Sequence, residues 1–251
     1  MFANLRTHIV SRLSYSTMCS FKKITHVIFD LDGLILDSED RYKEAFTTVL
    51  ARYGKKYTDE VRLAVLGTVE KETARIIVEK LQLPLTAEEF NKTAKIEQSK
   101  VLGDVNLKPG AERLIRHLSN NKIPIAIATS SGKQSYDIKV KKHQDIISHF
   151  HHVVNGSSDP EVKNGKPAPD IFLIAAQRFK ENTPKPEDCL VFEDAPNGVK
   201  GAKDAGMQVV MVPEDYIPEE MRKDATLVIK SLNDFKPELF GLPPFPESST
   251  K

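Results

Sequence analysis

The sequence predicts an α/β fold: a doubly wound parallel sheet, helices on both faces, and a helical unit inserted after the first strand. Short apolar runs recur at Ile123 to Thr129, His152 to Val154, Cys189 to Phe192, Met207 to Val212 and Thr226 to Ile229, with helical patterns between them. Nearly continuous apolar strands alternating with helices belong to a sheet that is covered on both sides. One more such run, residues 24 to 31, stands far ahead of the others, and no strand signal appears between Ser38 and about Val105. That intervening stretch therefore reads as an insert rather than as part of the sheet.

Taken in order, residues 1–23 carry Arg6, Arg12, Lys22 and Lys23, several Ser and Thr, and no acidic residue. This composition suits a mitochondrial transit segment, or a leader for which Met18 is the alternative start. The first strand runs into Asp30-Leu31-Asp32-Gly33. Next, Tyr42, Ala45, Phe46, Val49, Leu50 and Tyr53 fall at helical spacing and Gly54 ends the helix. A second amphipathic stretch holds Ala74, Ile77, Val78 and Leu81 ahead of Pro84, and a third opens at Thr86, with Glu89 completing a capping-box pattern. After Pro109, Ala111, Leu114, Ile115 and Leu118 share a helix face. The expected organisation is a core of residues 24–37 and 106–235, a helical unit of residues 38–105, and a Pro- and Ser-rich tail, 236–251, that drapes over the core or frays.

Composition narrows the function. At 251 residues with 40% apolar content, the chain can build a large core, and a net charge of +1 gives no field that selects a nucleic acid polymer or an anionic membrane. No apolar run approaches the roughly 20 residues that a membrane span needs. Cys19 and Cys189 are the only cysteines and lie far apart, so a structural disulfide is not expected and a reducing compartment fits. The expectation is a cytoplasmic monomer, or a mitochondrial one if residues 1–23 act as a transit segment.

Chemistry gathers at strand ends. Side chains alternate along a strand, so Asp30 and Asp32 leave on one side. Two like charges that close call for a cation, or for a proton on one of them. Thr129-Ser130-Ser131-Gly132 offers hydroxyls and backbone N–H groups at a turn before a helix, which suits a phosphate oxygen or simply caps the helix. In Gly165-Lys166-Pro167-Ala168-Pro169-Asp170 the prolines fix the direction of a lysine, a point charge able to balance a phosphate or crowded carboxylates. Glu193 and Asp194 close the strand from Cys189 and give a hard cation its remaining oxygen ligands, favouring Mg2+. Lys139 to Lys142 with His143 read as a solvated helix face. His149, His151 and His152 lack a carboxylate or cysteine at ligand spacing and are not taken as a zinc site.

In this order the four segments resemble the haloacid dehalogenase-like hydrolase superfamily, from about residue 24 to 235. The helical insert looks like the C1-type cap of that superfamily. The resemblance implies that Asp30 is a nucleophile forming an aspartyl-phosphate and that Asp32 protonates the leaving oxygen and then activates water. It also implies that Lys166 and Thr129, with Ser130, hold the phosphoryl group. Mg2+ would be held by Asp30, the Asp32 backbone carbonyl and Asp194, with Glu193 direct or through a water. By position Gly67, Thr68, Glu70 and Lys71 form the cap's specificity loop, with hinges at Leu36 to Ser38 and Asp104 to Lys108. The implied activity is hydrolysis of a small phosphorylated nucleoside or sugar. A sugar phosphomutase and a non-catalytic scaffold are the alternatives. Two segments depart from the pattern: Asn155 to Asp159 is one residue longer than expected, and Gly132-Lys133-Gln134 replaces a small polar run.

Overall fold

All six apolar runs form strands in the computed structural model of the protein, which describes residues 21–180 and 182–246. They are β1 (His26–Phe29), β2 (Ile125–Thr129), β3 (His152–Asn155), β4 (Cys189–Glu193), β5 (Gln208–Met211) and β6 (Leu227–Val228). They make one parallel sheet in the order β3-β2-β1-β4-β5-β6. The order reverses at β1, the place where sheets of this kind open a crevice at their carboxyl edge.

Alternation along the strands divides the core in two. Val27, Phe29, Ile125, Ile127, Leu190 and Phe192 face one layer. Ile28, Ala126, Ala128, Val191, Val209 and Met211 face the other.

The helical insert supplies α1 (Glu39–Ala51), α2 (Asp59–Val65), α3 (Glu70–Leu81) and α4 (Ala87–Val101). Its own apolar centre joins Phe46, Val49, Leu50, Val61, Ile77 and Phe90. The Thr86–Glu89 capping box opens α4 as the sequence predicts. The helix α2 has no counterpart in the sequence reading, because seven residues carry barely two turns of periodicity; Thr58 caps it through Val61 N–H. Entry and exit of the insert run side by side, with the Asp37 N–H donating to Asn106 O and the Lys108 N–H to Ile35 O, both at 2.8 Å.

The sheet is then covered by α5 (Ala111–Asn120), α6 (Lys133–Val140) and α7 (Gln144–Ile147) on the first layer, and by α8 (Asp170–Gln177) and α9 (Pro196–Asp204) on the second. Phe240 and Leu242 are buried on the first layer, and Phe21 stacks on Phe240 with centroids 4.6 Å apart. The tail thus packs against the core as far as it is described. Cys189 is a buried free thiol; Cys19, Met18 and most of the leader lie outside the described residues. Among the described residues no helix is long and apolar enough to cross a membrane.

The loop after β3 is tied back to α8 by Arg178, which donates to both Asp159 oxygens at 2.6 and 3.0 Å. This pairing holds the Asp159 carboxyl below the usual carboxylate range. A lowered folded pKa means stability that is present above the unfolded value near 3.9 and lost as pH falls through the folded one. Asp159→Asn is expected to cost about 1 kcal/mol at pH 7. Urea unfolding at pH 7 and at pH 3 checks this, since the gap between variant and parent must shrink in acid.

Candidate active site

Because every strand runs the same way, the chemistry-bearing residues reach one edge of the sheet. Asp30 follows β1, Thr129 ends β2, and Glu193 and Asp194 end β4. Lys166 comes in from the loop ahead of α8, and its fully buried ammonium donates to Asp30 Oδ1 at 2.5 Å, Glu193 Oε1 at 2.6 Å and Ala128 O at 3.1 Å. Glu193 Oε2 accepts the N–H groups of Asp194 and Ala195 at 3.0 and 3.1 Å, at the entry to α9. Both Glu193 oxygens are thereby occupied. A Cβ on Gly198 would stand 1.8 Å from Glu193 Oε1, so only glycine fits that turn of α9.

Asp30, Glu193 and Asp194 each bring a carboxylate oxygen within 4.8 Å of the others. One lysine faces three carboxylates, leaving two negative charges uncompensated if all are ionised. Burial raises the Asp30 pKa to about 7, with Lys166 pulling the other way. Burial, then Glu193 and Asp30, push Asp194 well above the carboxylate range. Asp194 Oδ2 is buried with no hydrogen-bond partner. Gly33, at φ +81, leaves open the space beside it, since a Cβ there would stand 2.2 Å from that same oxygen. An all-oxygen acidic cluster carrying excess charge and an orphaned ligand atom fits a hard divalent cation.

Asp32 is separated from this cluster by its partners. It accepts from Ser38 Oγ at 2.8 Å, Ser131 Oγ at 2.9 Å, Thr129 Oγ1 at 3.3 Å, and from Lys139 Nζ at 2.5 Å on each oxygen. Burial alone would raise its pKa, but Lys139 and the hydroxyls outweigh this and hold it below the ordinary range. The solvated-face reading of Lys139 is overturned here: its side chain is 0% exposed, and it also donates to Tyr42 Oη at 3.0 Å and Ser131 Oγ at 2.7 Å. Its burial was signalled by spacing, because Lys139 lies three residues after Tyr136 and beside Val140, both buried on α6.

The two groups floor a cleft whose other wall is the helical insert. Tyr42, Phe46, Tyr57 and Phe90 give it aromatic surface, and Asn91, Gln98, Arg62 and Thr73 give it polar groups. Asn91 and Gln98 lie on α4, where the sequence reading placed no site residue, because isolated amides on an amphipathic helix look like its solvent side. Gly67, Thr68 and Glu70 line the cleft, whereas Lys71 is exposed and does not. Ser130 reaches the cleft, but its hydroxyl donates to Gly67 O at 2.8 Å. Both departing segments meet this rim: Gly132 N–H and Ser135 Oγ donate to Glu70 Oε1 at 3.1 Å, and Glu70 N–H donates to Ser157 Oγ at 3.0 Å.

The family model for haloacid dehalogenase-like hydrolase matches residues 24–206, and the chain belongs to that family. It is 50% identical over 224 residues to a probable pseudouridine-5'-phosphatase of Drosophila melanogaster, covering 89% of this chain and 96% of the relative. It is 48% identical over 232 residues to (DL)-glycerol-3-phosphatase 2 of Arabidopsis thaliana, covering 90% and 95%. A beta-phosphoglucomutase structure from Clostridium difficile shares the fold, with TM-score 0.72, 24% identity, and 86% and 94% of the two chains covered.

Proposed function

We propose that this chain is a Mg2+-dependent phosphomonoester hydrolase that works through an aspartyl-phosphate on Asp30. The observation that carries the reading is the buried set of Asp30, Glu193 and Asp194 around a single Lys166 at the carboxyl edge of the sheet. Asp30 Oδ1 is held by Lys166, and no hydrogen bond reaches Oδ2 among the described residues. In the proposed reaction that carboxylate attacks phosphorus in line, forming an O–P bond as the ester O–P bond breaks. Asp32, ionised in the free site, takes up a proton from water as the negatively charged ester enters, gives it to the departing alcohol, then takes one from the water that cleaves the acyl phosphate and releases inorganic phosphate. Lys166 offsets charge on the transferring oxygens, and Thr129 is the nearby hydroxyl able to bond them. Asp30, Asp194 and the Asp32 carbonyl would hold Mg2+, with Glu193, already bonded to Lys166, contributing through a water. Bound there, the ion masks phosphate charge that would otherwise repel an anionic nucleophile.

The substrate we propose is a small phosphorylated nucleoside, pseudouridine 5'-phosphate first. Support comes from the relative with that activity in its name and from a cleft combining aromatic walls with the side-chain amides of Asn91 and Gln98. A polar ring uses both kinds of contact, whereas glycerol 3-phosphate, suggested by the second relative, brings hydroxyls for the amides but no ring for the aromatic walls. The helical insert acts as a cap that excludes water when the cleft is filled. Phosphate release from pseudouridine 5'-phosphate, glycerol 3-phosphate and a hexose phosphate, each with Mg2+ and with EDTA, tests the reading. The expected result is release that needs no bisphosphate primer, is greatest on the nucleotide by about tenfold or more, and falls to background in EDTA. Equal rates on all three esters contradict the substrate assignment, and full rates in EDTA contradict the metal.

A further inference from the structure

Lys139 takes no part in the reaction just described, yet it is fully buried and bonded to a residue that does. Its ammonium contacts both oxygens of Asp32 at 2.5 Å and is itself fixed by Tyr42 Oη and Ser131 Oγ. Asp32 lines the cleft and its side chain is 18% exposed, while the Lys139 side chain is 0% exposed and lies behind it. We infer that Lys139 is a positioning residue: from the core side it clamps the Asp32 carboxylate and keeps it aimed at the cleft wall. This rests on the acid/base reading of Asp32.

The hydrogen bonds explain how a carboxylate so crowded can still act. Five donor contacts fall on a group with about four lone-pair sites, and the longest is Thr129 Oγ1 at 3.3 Å. When that hydroxyl turns to a phosphoryl oxygen, it frees one position on Oδ2. Lys139, Ser38 and Ser131 keep the rest of the group still. An acid/base catalyst that must meet first an alcohol oxygen and then a water gains from such support, because misaim costs rate at both steps. Tyr42 belongs to α1 of the insert, so the clamp also ties the aim of Asp32 to the insert.

The test uses the full chain with Mg2+ and p-nitrophenyl phosphate, whose leaving group departs without a proton. Attack by Asp30 then proceeds without Asp32, whereas water attack on the acyl phosphate still needs it. Lys139→Met is expected to release the first equivalent of p-nitrophenolate within about threefold of the parent rate, while steady turnover falls about 10²-fold and phosphoenzyme accumulates. A merely structural lysine predicts otherwise: first release and turnover fall together, and that result overturns the inference, as does unchanged turnover. Should Lys139→Met fail to fold, Tyr42→Phe decides, because it keeps the ring and removes one of the two hydroxyls that fix the ammonium. Turnover about threefold to tenfold lower with the first release intact supports the clamp; unchanged turnover overturns it. Parent enzyme that hydrolyses neither this ester nor any alkyl phosphate would instead remove the phosphatase reading.

Discussion

Asp30→Asn is expected to lose phosphatase turnover by at least about 10³-fold while keeping the fold and nearly all of its stability. The amide cannot attack phosphorus, yet it fits the same space between β1 and the Lys166 ammonium. It also removes one of three crowded carboxylates, so the remaining Glu193–Lys166 pair at 2.6 Å is left closer to neutral. Stability measured by urea unfolding and phosphate release measured under saturating substrate separate the two effects. Hydrolysis within tenfold of the parent would remove Asp30 from the nucleophile's role.

Lys166→Met is expected to damage both stability and activity. The ammonium is fully buried and lies between Asp30 and Glu193, at 2.5 and 2.6 Å. Without it, buried carboxylates face one another with no opposing charge. Breaking a buried pair from one side costs about 3–5 kcal/mol. The sign of a further effect follows: if Mg2+ binds the folded acidic cluster as proposed, and not the unfolded chain, it should raise the melting temperature of the variant more than that of the parent, because it supplies the missing positive charge. Activity should stay at background even where Mg2+ restores the fold, since a lysine on the transferring oxygens is absent. A variant as stable as the parent in EDTA would contradict the charge balance described for the cluster.

Much of this arrangement was legible in the sequence because strand ends are local features. The pairs Asp30 with Asp32 and Glu193 with Asp194 each follow an apolar run, and a parallel sheet brings the ends of such runs to one edge whatever the details of packing. Lys166 was legible for another reason, its confinement between Gly165 and two prolines. Lys139 was not. Within Lys139 to Lys142 three lysines suggested a wet surface, and that run masked the spacing from Tyr136 that turns the first of them inward beside Val140. Partner identity was equally hidden: no spacing rule says that Glu193 spends its oxygens on Lys166 and on the N–H groups entering α9. The cleft wall built by Asn91 and Gln98 depends on how α4 packs against α1 and α3, a fact of tertiary packing with no local signature.

The most direct measurement is where the phosphoryl group sits during turnover. Enzyme mixed with substrate and Mg2+, quenched in acid and digested, should carry phosphate on the peptide containing Asp30, as an acyl phosphate that hydroxylamine removes. Phosphate found instead on Thr129 or Ser130, or full turnover with no phosphorylated peptide at any quench time, would contradict the account.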